Sequence, residues 1–212
     1  MLSTYKTVKE TNSHEIIIQK SRFIAHLSRS ENESEAQQFI DRIKKEHWNA
    51  THNCSAYVIG ERNEVQKAND DGEPSGTAGV PMLEVLKKRE LKDTVVVVTR
   101  YFGGIKLGAG GLIRAYGSAV SEGLNNIGIV KRTLMSIIHT EIDYHWLGKV
   151  EHALRESPYE LKKTDYLEQV DIQTYVPIEQ TTDFQEWVTN LTNGQATTKV
   201  GKQAYLESVI TK

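Results

Sequence analysis

Residues 95–119, VVVVTRYFGGIKLGAGGLIRAYGSA, constrain the fold more than any other part of the chain. Four consecutive valines predict a strand buried on both faces, because a strand with one face in water alternates apolar and polar residues. The glycines after this strand lead into an apolar helical stripe, which ends at Gly128, a residue type typical of a helix C-terminus. We therefore predict a buried strand, a glycine-rich connection and a long amphipathic helix at the centre of the fold.

The residues before this segment supply the other elements of a first domain. Residues 14–27 are rich in β-branched and aromatic residues and predict a strand hairpin, and residues 34–48 carry apolar side chains at helical spacing. Residues 54–59 and 64–68 predict a second hairpin, and a helix follows from about residue 77. The predicted order of the first domain is ββαββαβα.

The remaining residues predict a second, ferredoxin-like domain of order βαββαβ. Its predicted strands cover residues 134–144, 160–166, 168–176 and 197–206, and its predicted helices cover residues 146–156 and 182–191. We expect a short linker between residues 128 and 133, so that the chain divides into domains 1–130 and 133–212. The predicted fold class is α+β.

Charge and glycine are distributed unevenly between these halves. Residues 1–132 hold 19 Lys and Arg against 16 Asp and Glu, whereas residues 133–212 hold 7 against 12. Twelve of the 15 glycines lie between residues 60 and 128. Glycine-rich loops are common at functional sites, so we expect any site in the first domain.

Composition excludes several classes of protein. No apolar run approaches the roughly 20 residues of a membrane helix, so we expect no membrane association. Cys54 is the only cysteine, which excludes an internal disulfide and a zinc site built from cysteine pairs. The N-terminus lacks the pattern of a secretory signal. These observations predict a reduced, cytoplasmic protein.

An acidic segment, NDDGEPSGTAGVPML at residues 69–83, admits two interpretations. Its carboxylates could hold a divalent cation or act as acid and base, with Ser75 or Thr77 binding a ligand. Alternatively, the segment is a polar turn before a helix that Ser75 or Thr77 caps. Composition alone favours the turn.

The glycine-rich connection offers a second candidate site. Free N–H groups at the start of its helix would attract an anion such as phosphate, and Arg100, Lys106 and Arg114 could add positive charge. The spacing matches neither a Walker loop nor a GxGxxG dinucleotide fingerprint. The alternative is a glycine-rich corner that lets the helix pack closely against the sheet.

His52 and Cys54 are two residues apart in THNCSAY, so their side chains share one face of the predicted strand. A thiolate–imidazole pair is geometrically conceivable there. A buried cysteine beside a hydrogen-bonded histidine is the more common arrangement, and we favour it.

Together, THNCSAY, DDGEPSGTAGVPML and TRYFGGIKLGAGGLIRAYG closely resemble the IMPACT family over about residues 15–130. The family signature corresponds here to Arg100, Tyr101, Phe102, Gly103 and Gly104. The later residues resemble, more loosely, the ferredoxin-like C-terminal domain of bacterial members. The resemblance implies that the first domain shares its fold with a domain of a small-subunit ribosomal protein and of elongation factor G. It also implies a translation-linked role, and it supplies no established catalytic residue.

Our leading hypothesis is a translation-linked regulatory protein that binds RNA or the ribosome through this locally basic surface, with Tyr101 available to stack on a base. A protein partner from the translation machinery is compatible with that role. The alternative is an enzyme that binds a nucleotide or phosphorylated metabolite at the glycine-rich helix start and holds a metal with Asp70, Asp71 or Glu73 of the acidic segment. We favour the binding protein over the enzyme, and we expect no cofactor and no resident metal. The candidate binding residues are Asp71, Glu73, Ser75, Thr77, Arg100, Tyr101, Gly103, Gly104, Lys106, Gly108, Gly110 and Arg114.

Overall fold

The computed structural model describes residues 1–210 and has the predicted α+β class. The strands are β1 (Thr4–Val8), β2 (Asn12–Ile18), β3 (Ser21–Arg29), β4 (His52–Ile59), β5 (Val65–Asn69), β6 (Thr94–Tyr101), β7 (Ile129–Ile142), β8 (Glu160–Tyr166), β9 (Val170–Pro177) and β10 (Thr197–Val209). The helices are α1 (Glu33–Glu46), α2 (Gly79–Lys88), α3 (Gly108–Ile127), α4 (Tyr144–Arg155) and α5 (Thr181–Leu191). Within residues 1–210, no helix is long and apolar enough to span a membrane.

The chain forms two compact units. The first contains Met1–Arg132 and the end of the chain from Ser208, and the second contains Thr133–Glu207. The predicted elements of both are present, with end points that differ from the predicted ones by a few residues.

The first unit is built on an antiparallel sheet of order β2-β3-β6-β4-β5. Val95 and Val97 pack against α1 on one face, whereas Val96 and Val98 pack against α2 and α3 on the other. All four valines are fully buried. The predicted strand buried on both faces is therefore confirmed, and this central strand carries Arg100 at its end.

Helix α3 brings the glycine-rich connection against the sheet. Its buried stripe contains Leu112, Tyr116, Val120 and Leu124, spaced so that they share one face. The helix ends at Gly128, which has a φ of +94° and donates its N–H to the Leu124 carbonyl at 3.0 Å. A positive φ is costly for other residues, so this glycine fixes the end of the helix as predicted.

The second unit has the predicted βαββαβ order, with neighbouring strands in the order β10-β7-β9-β8. Helices α4 and α5 cover one face of this sheet. Its core contains Ile138, Ile142 and Ile172 from the strands and Val150 and Phe184 from the helices.

Two features differ from the sequence prediction. Strand β1 was not predicted, and the linker predicted between residues 128 and 133 is wrong, because β7 begins at Ile129 and continues through this region. The chain is held there by backbone hydrogen bonds from Lys9 to Gly128 and from Ile210 to Ile129. A glycine that ends a helix therefore leads directly into a strand. The division of the chain into domains 1–130 and 133–212 stays a prediction.

Candidate functional site

A cavity of about 310 Å³ lies in the first unit beside the end of β6. It is bordered by two segments, which we name the acidic loop (residues 70–78) and the glycine-rich segment (residues 102–111). Its lining residues are Thr51, His52, Glu73, Pro74, Arg100, Phe102, Lys106, Leu107, Gly108, Ala109 and Leu112. Among the twelve candidate binding residues, only Glu73, Arg100, Lys106 and Gly108 line this cavity.

The floor of the cavity is a buried ion pair. Arg100, 5% exposed, donates from Nη1 to Glu73 Oε1 at 2.6 Å. The hydroxyl of Tyr116, on α3, donates to the same oxygen at 2.7 Å. One strand, one loop and one helix thus meet at a single carboxylate oxygen. Breaking a buried ion pair leaves an uncompensated charge in the protein interior. We therefore expect the Arg100–Glu73 pair to fix the position of the acidic loop.

Cys54 and Tyr116 are neutral beneath this ion pair. Burial raises the pKa of the Cys54 thiol to about 12, and the nearby acidic side chains add to that rise. Burial also raises the pKa of Tyr116, together with the neighbouring Cys54 and Glu73. The Cys54 Sγ donates to the Asp70 carbonyl at 3.0 Å. A thiol with this pKa is not a nucleophile at neutral pH.

His52 also contacts groups of the protein through both ring nitrogens. Its Nδ1 donates to the Asp71 carbonyl at 2.8 Å, and its Nε2 lies 3.8 Å from Glu73 Oε2. The structure therefore agrees with the interpretation that we favoured for the pair, a buried cysteine beside a hydrogen-bonded histidine.

Asp70 organises the acidic loop. Its carboxylate accepts backbone N–H groups from Gly76 at 2.8 Å, Ala78 at 3.0 Å and Gly79 at 2.8 Å. Partial burial opposes ionisation, but these three donors outweigh it and lower the pKa of Asp70. Because two of the donors belong to the start of α2, Asp70 caps that helix from nine residues away.

The helix cap expected from Ser75 or Thr77 is wrong. The N-cap residue of α2 is Ala78, whose side chain makes no capping hydrogen bond. Thr77 is buried and donates its hydroxyl to the Pro74 carbonyl at 2.6 Å, while Ser75 is exposed. Neither hydroxyl lines the cavity.

Asp71 is also satisfied within the protein. Lys44 donates to Asp71 Oδ1 at 2.6 Å, and the backbone N–H of Asn53 donates to Oδ2 at 2.7 Å. Partial burial raises the pKa of this carboxyl, but the lysine and the N–H more than offset that and lower it. In residues 1–210, no group of three His, Cys, Asp or Glu side chains has the geometry of a metal site.

The glycines of the glycine-rich segment have two different roles. A side chain at Gly103 would meet the backbone of Lys20 and Ser21 at 2.1–2.4 Å, so this position is a close approach of two chains. Gly104 and Gly108 have open space around them, but their φ angles of +86° and +68° favour glycine. At Gly110, a Cβ would lie 3.6 Å from Arg114 Nη1, which fits a long side chain lying back over the first turn of α3.

The start of α3 presents positive charge without a protein partner. Leu107 occupies the cap position without a side-chain hydrogen bond, and the first turn contains no acidic residue. Lys106 and Arg114 are exposed. Within the part of the chain that the structure describes, neither forms a hydrogen bond or an ion pair. The helix dipole and these two cations give this surface a positive potential, which favours anions.

Tyr101 lies away from this surface, whereas the sequence analysis placed it there as a ring on which a base could stack. Adjacent residues of a strand point to opposite faces, and Arg100 takes the cavity side. The Tyr101 ring lies on the α1 side, where its hydroxyl is 2.9 Å from His47 Nδ1 and Arg22 lies 5.1 Å from the ring centroid. Phe102 lines the cavity instead, 46% exposed and 5.5 Å from the Arg100 guanidinium.

Sequence reasoning missed three contributors to the site. Phe102 belongs to the family signature but is not among the candidate binding residues. Tyr116 lies in the predicted helical stripe, which by itself predicts burial in the core and no role at the site. Asp70 was grouped with the other acidic residues, although it alone caps α2. Side chains alternate between the two faces of a strand, so the position of Arg100 could have identified Phe102. The contact of Tyr116 with Glu73 and the cap that Asp70 provides for α2 depend on the tertiary fold.

Comparison with known sequences and structures defines the relatives of this chain. The sequence profile described as the Impact N-terminal domain matches residues 19–124, and a domain of unknown function, DUF1949, matches residues 140–195. A similar solved structure, described as the crystal structure of a hypothetical protein, has a TM-score of 0.60 and 29% identity. It covers 95% of this chain and 99% of that one.

Curated relatives extend the match along the whole chain. The IMPACT family member YvyE of Bacillus subtilis is 67% identical over 210 residues, covering 99% of this chain and 97% of the relative. The IMPACT family member YigZ of Escherichia coli is 34% identical, covering 84% of this chain and 88% of the relative. The Dictyostelium discoideum Protein IMPACT homolog is 43% identical over 95 residues, 26% of its length. This chain belongs to the IMPACT family, in the two-domain form of its bacterial relatives.

Proposed function

We propose that this protein is a translation-linked regulator that binds RNA, free or in the ribosome, through the glycine-rich segment and the start of α3. One observation carries the proposal. Lys106 and Arg114 have no partner in residues 1–210 and flank a helix start without a capping side chain or an acidic residue. Phosphate groups are the ligands expected at such an arrangement, because a helix start leaves N–H groups free and the two cations add positive charge beside it.

Charge distribution supports an RNA partner of modest affinity. The first 132 residues carry a small excess of basic over acidic residues, and the second part of the chain is acidic. Because the excess is small, binding depends on a local patch rather than on a generally basic surface. The exposed Phe102 beside this patch offers a ring on which a base can stack.

The alternative metal-assisted enzyme would need free carboxylates in the acidic loop. Asp70 accepts three backbone N–H groups, Asp71 is paired with Lys44, and Glu73 is paired with Arg100. A carboxylate that already holds the loop together could bind a metal only by giving up these contacts. The site therefore favours docking of an anion over metal-assisted catalysis.

Ribosome and RNA binding of charge-reversed variants tests the proposal. Lys106→Glu places a negative charge at the proposed surface, and Lys162→Glu makes the same change at an exposed, unpaired lysine of the described second unit. We expect Lys106→Glu to weaken binding about tenfold, the equivalent of one charge-assisted contact. Co-sedimentation with ribosomes and binding to a fluorescent single-stranded RNA would measure this.

The Lys162→Glu variant is the control for this experiment. Lys162→Glu should bind as the unmodified protein does. Equal losses in the two variants would mean that the glycine-rich segment is not the binding surface. Absence of RNA and ribosome binding at low salt would reject the proposed function altogether.

A further inference from the structure

We infer that the cavity between the acidic loop and the glycine-rich segment holds one nucleobase, with the phosphate of the same nucleotide at the start of α3. This inference rests on the proposed function and deepens it, because it assigns separate positions to the base and the phosphate. The nucleotide is either part of an RNA strand or free in solution, and the experiment below distinguishes the two sources.

Arg100, which lines this cavity, contains a nitrogen that is buried and unpartnered within the described chain. The Arg100 side chain is only 6% exposed, and it lines the cavity. Its Nε is buried and has no hydrogen-bond partner among residues 1–210, although Nη1 is bonded to Glu73. A buried donor without a partner is costly, so native structures normally satisfy it with the protein, water or a ligand.

Glu73, which also lines the cavity, contributes an acceptor. Glu73 Oε1 receives the bonds from Arg100 and Tyr116, whereas Oε2 has no hydrogen bond in the described chain and lies 3.8 Å from His52 Nε2. The polar end of the cavity thus combines a donor and an acceptor from one ion pair. Every nucleobase presents adjacent donors and acceptors along its Watson–Crick edge, and protein pockets read an extruded base through that edge.

The walls of the cavity suit a flat, largely apolar ring. Pro74, Phe102, Leu107 and Leu112 supply apolar surface around the polar end. A volume of about 310 Å³ is at the lower end of the range for small-molecule pockets, roughly 300–1,000 Å³. This space fits a single base better than an extended strand, and stacking on an aromatic ring tolerates any base.

The mouth of the cavity supplies the phosphate position. Lys106, Gly108 and Ala109 line the cavity where α3 begins. Gly108 has open space around it and a positive φ, so no side chain shields the helix start. A nucleotide with its base beside Arg100 would therefore meet a cation and free N–H groups with its phosphate.

Calorimetry with the four ribonucleoside monophosphates, ribose 5-phosphate and inorganic phosphate tests the inference. We expect at least one nucleotide to bind about tenfold more tightly than ribose 5-phosphate, since stacking of a base contributes on that scale. Equal affinities for nucleotide and ribose 5-phosphate, or no nucleotide binding, would overturn the inference.

A pocket-filling variant gives the structural control. Ala109→Phe adds a ring at an exposed residue that lines the cavity, whereas Ser118→Phe makes a similar change at an exposed position later in α3. Thermal unfolding should show that both variants fold. Ala109→Phe should lose nucleotide binding while Ser118→Phe keeps it, and unchanged binding by a folded Ala109→Phe would reject the pocket.

Binding to single-stranded RNA separates the two sources and the two proposals. Nucleotide that displaces RNA identifies the base as part of an RNA strand, whereas nucleotide binding without RNA binding identifies a free nucleotide and rejects the proposed function. RNA binding that depends on Lys106 but is unchanged by Ala109→Phe would leave the proposed function standing and reject the base pocket.

Discussion

The acidic loop and the glycine-rich segment border one cavity but use their charged groups in opposite ways. All three carboxylates of the acidic loop are bonded within the protein. Asp70 accepts backbone N–H groups of its own loop and of the first residue of α2, Asp71 is paired with Lys44, and Glu73 is paired with Arg100. In the described chain, Lys106 of the glycine-rich segment and Arg114 just after it form no hydrogen bond or ion pair. In this molecule the acidic loop is therefore a structural support, and the surface left for a ligand is positive. The charges in the sequence do not reveal this difference, because the bonds that satisfy them depend on the tertiary fold.

Removal of the Glu73 carboxylate should have the largest effect on stability. Glu73→Ala leaves the Arg100 guanidinium buried without its counter-charge, and loss of one partner of a buried pair costs about 3–5 kcal/mol. Urea unfolding would measure this loss. Glu73→Gln retains an oxygen for Tyr116 and should lose less. A loss below about 1 kcal/mol for Glu73→Ala would mean that the carboxylate is not a structural support.

The Asp70 cap should have the next largest effect. Asp70→Ala leaves the N–H groups of Gly76, Ala78 and Gly79 without their acceptor, and we expect a loss of about 2 kcal/mol. Asp70→Asn, which keeps one acceptor oxygen, should lose less. Glu84→Ala serves as the control, because its carboxylate pairs only with the exposed Lys87 and should change stability by less than about 0.5 kcal/mol. Similar losses at Asp70 and Glu84 would contradict the proposed cap.

Acid should destabilise the acidic loop by protonating Asp70 and Asp71. Asp70 and Asp71 have folded-state pKa values below the ordinary 3.8. The unfolded chain therefore takes up protons first as pH falls. Their contribution to stability is fully present above the ordinary pKa and is lost as pH falls through the lower folded-state values. Unfolding measured between pH 6 and 2.5 should show this decline, and the decline should be shallower in Asp70→Asn. An identical pH dependence in the variant would contradict the assignment.

Removal of the cations should have the smallest effect on stability. Lys106→Ala and Arg114→Ala remove exposed side chains that have no partner in residues 1–210, so we expect changes below about 0.5 kcal/mol. Thermal and urea unfolding would measure them. A loss above about 1 kcal/mol would mean that these cations stabilise the fold, and the contrast with the acidic loop would fail.

Patterns along the chain predicted most of the fold because they reflect local physics. The four valines, the helical stripe of α3 and its end at Gly128 all depend on burial or backbone conformation that neighbouring residues determine. The prediction failed after Gly128, where a helix-ending glycine was interpreted as the start of a linker. The hydrogen bonds that continue the chain as β7 come from Lys9 and Ile210, which are distant in sequence.

The site was less predictable because its contacts join distant segments. Glu73 is 27 residues from Arg100 and 43 from Tyr116 along the chain. Composition favours a structural turn in this segment but cannot reveal such pairs, and Asp71 and Glu73 therefore stand among the candidate binding residues. Tyr101 is a different case, because the two-residue period of β6 already separates its side chain from that of Arg100. Choosing both residues for one surface disregarded that period.

The salt dependence of RNA binding tests the central claim most directly. We would measure the affinity for a single-stranded RNA across a range of salt concentrations, for the unmodified protein and for Lys106→Ala with Arg114→Ala. If each cation neutralises one phosphate, the double variant should bind more weakly, and its log–log slope should be shallower by about 1.4, which is roughly 0.7 for each lost contact. Unchanged affinity and slope would contradict the claim that the glycine-rich segment and the start of α3 form the binding surface.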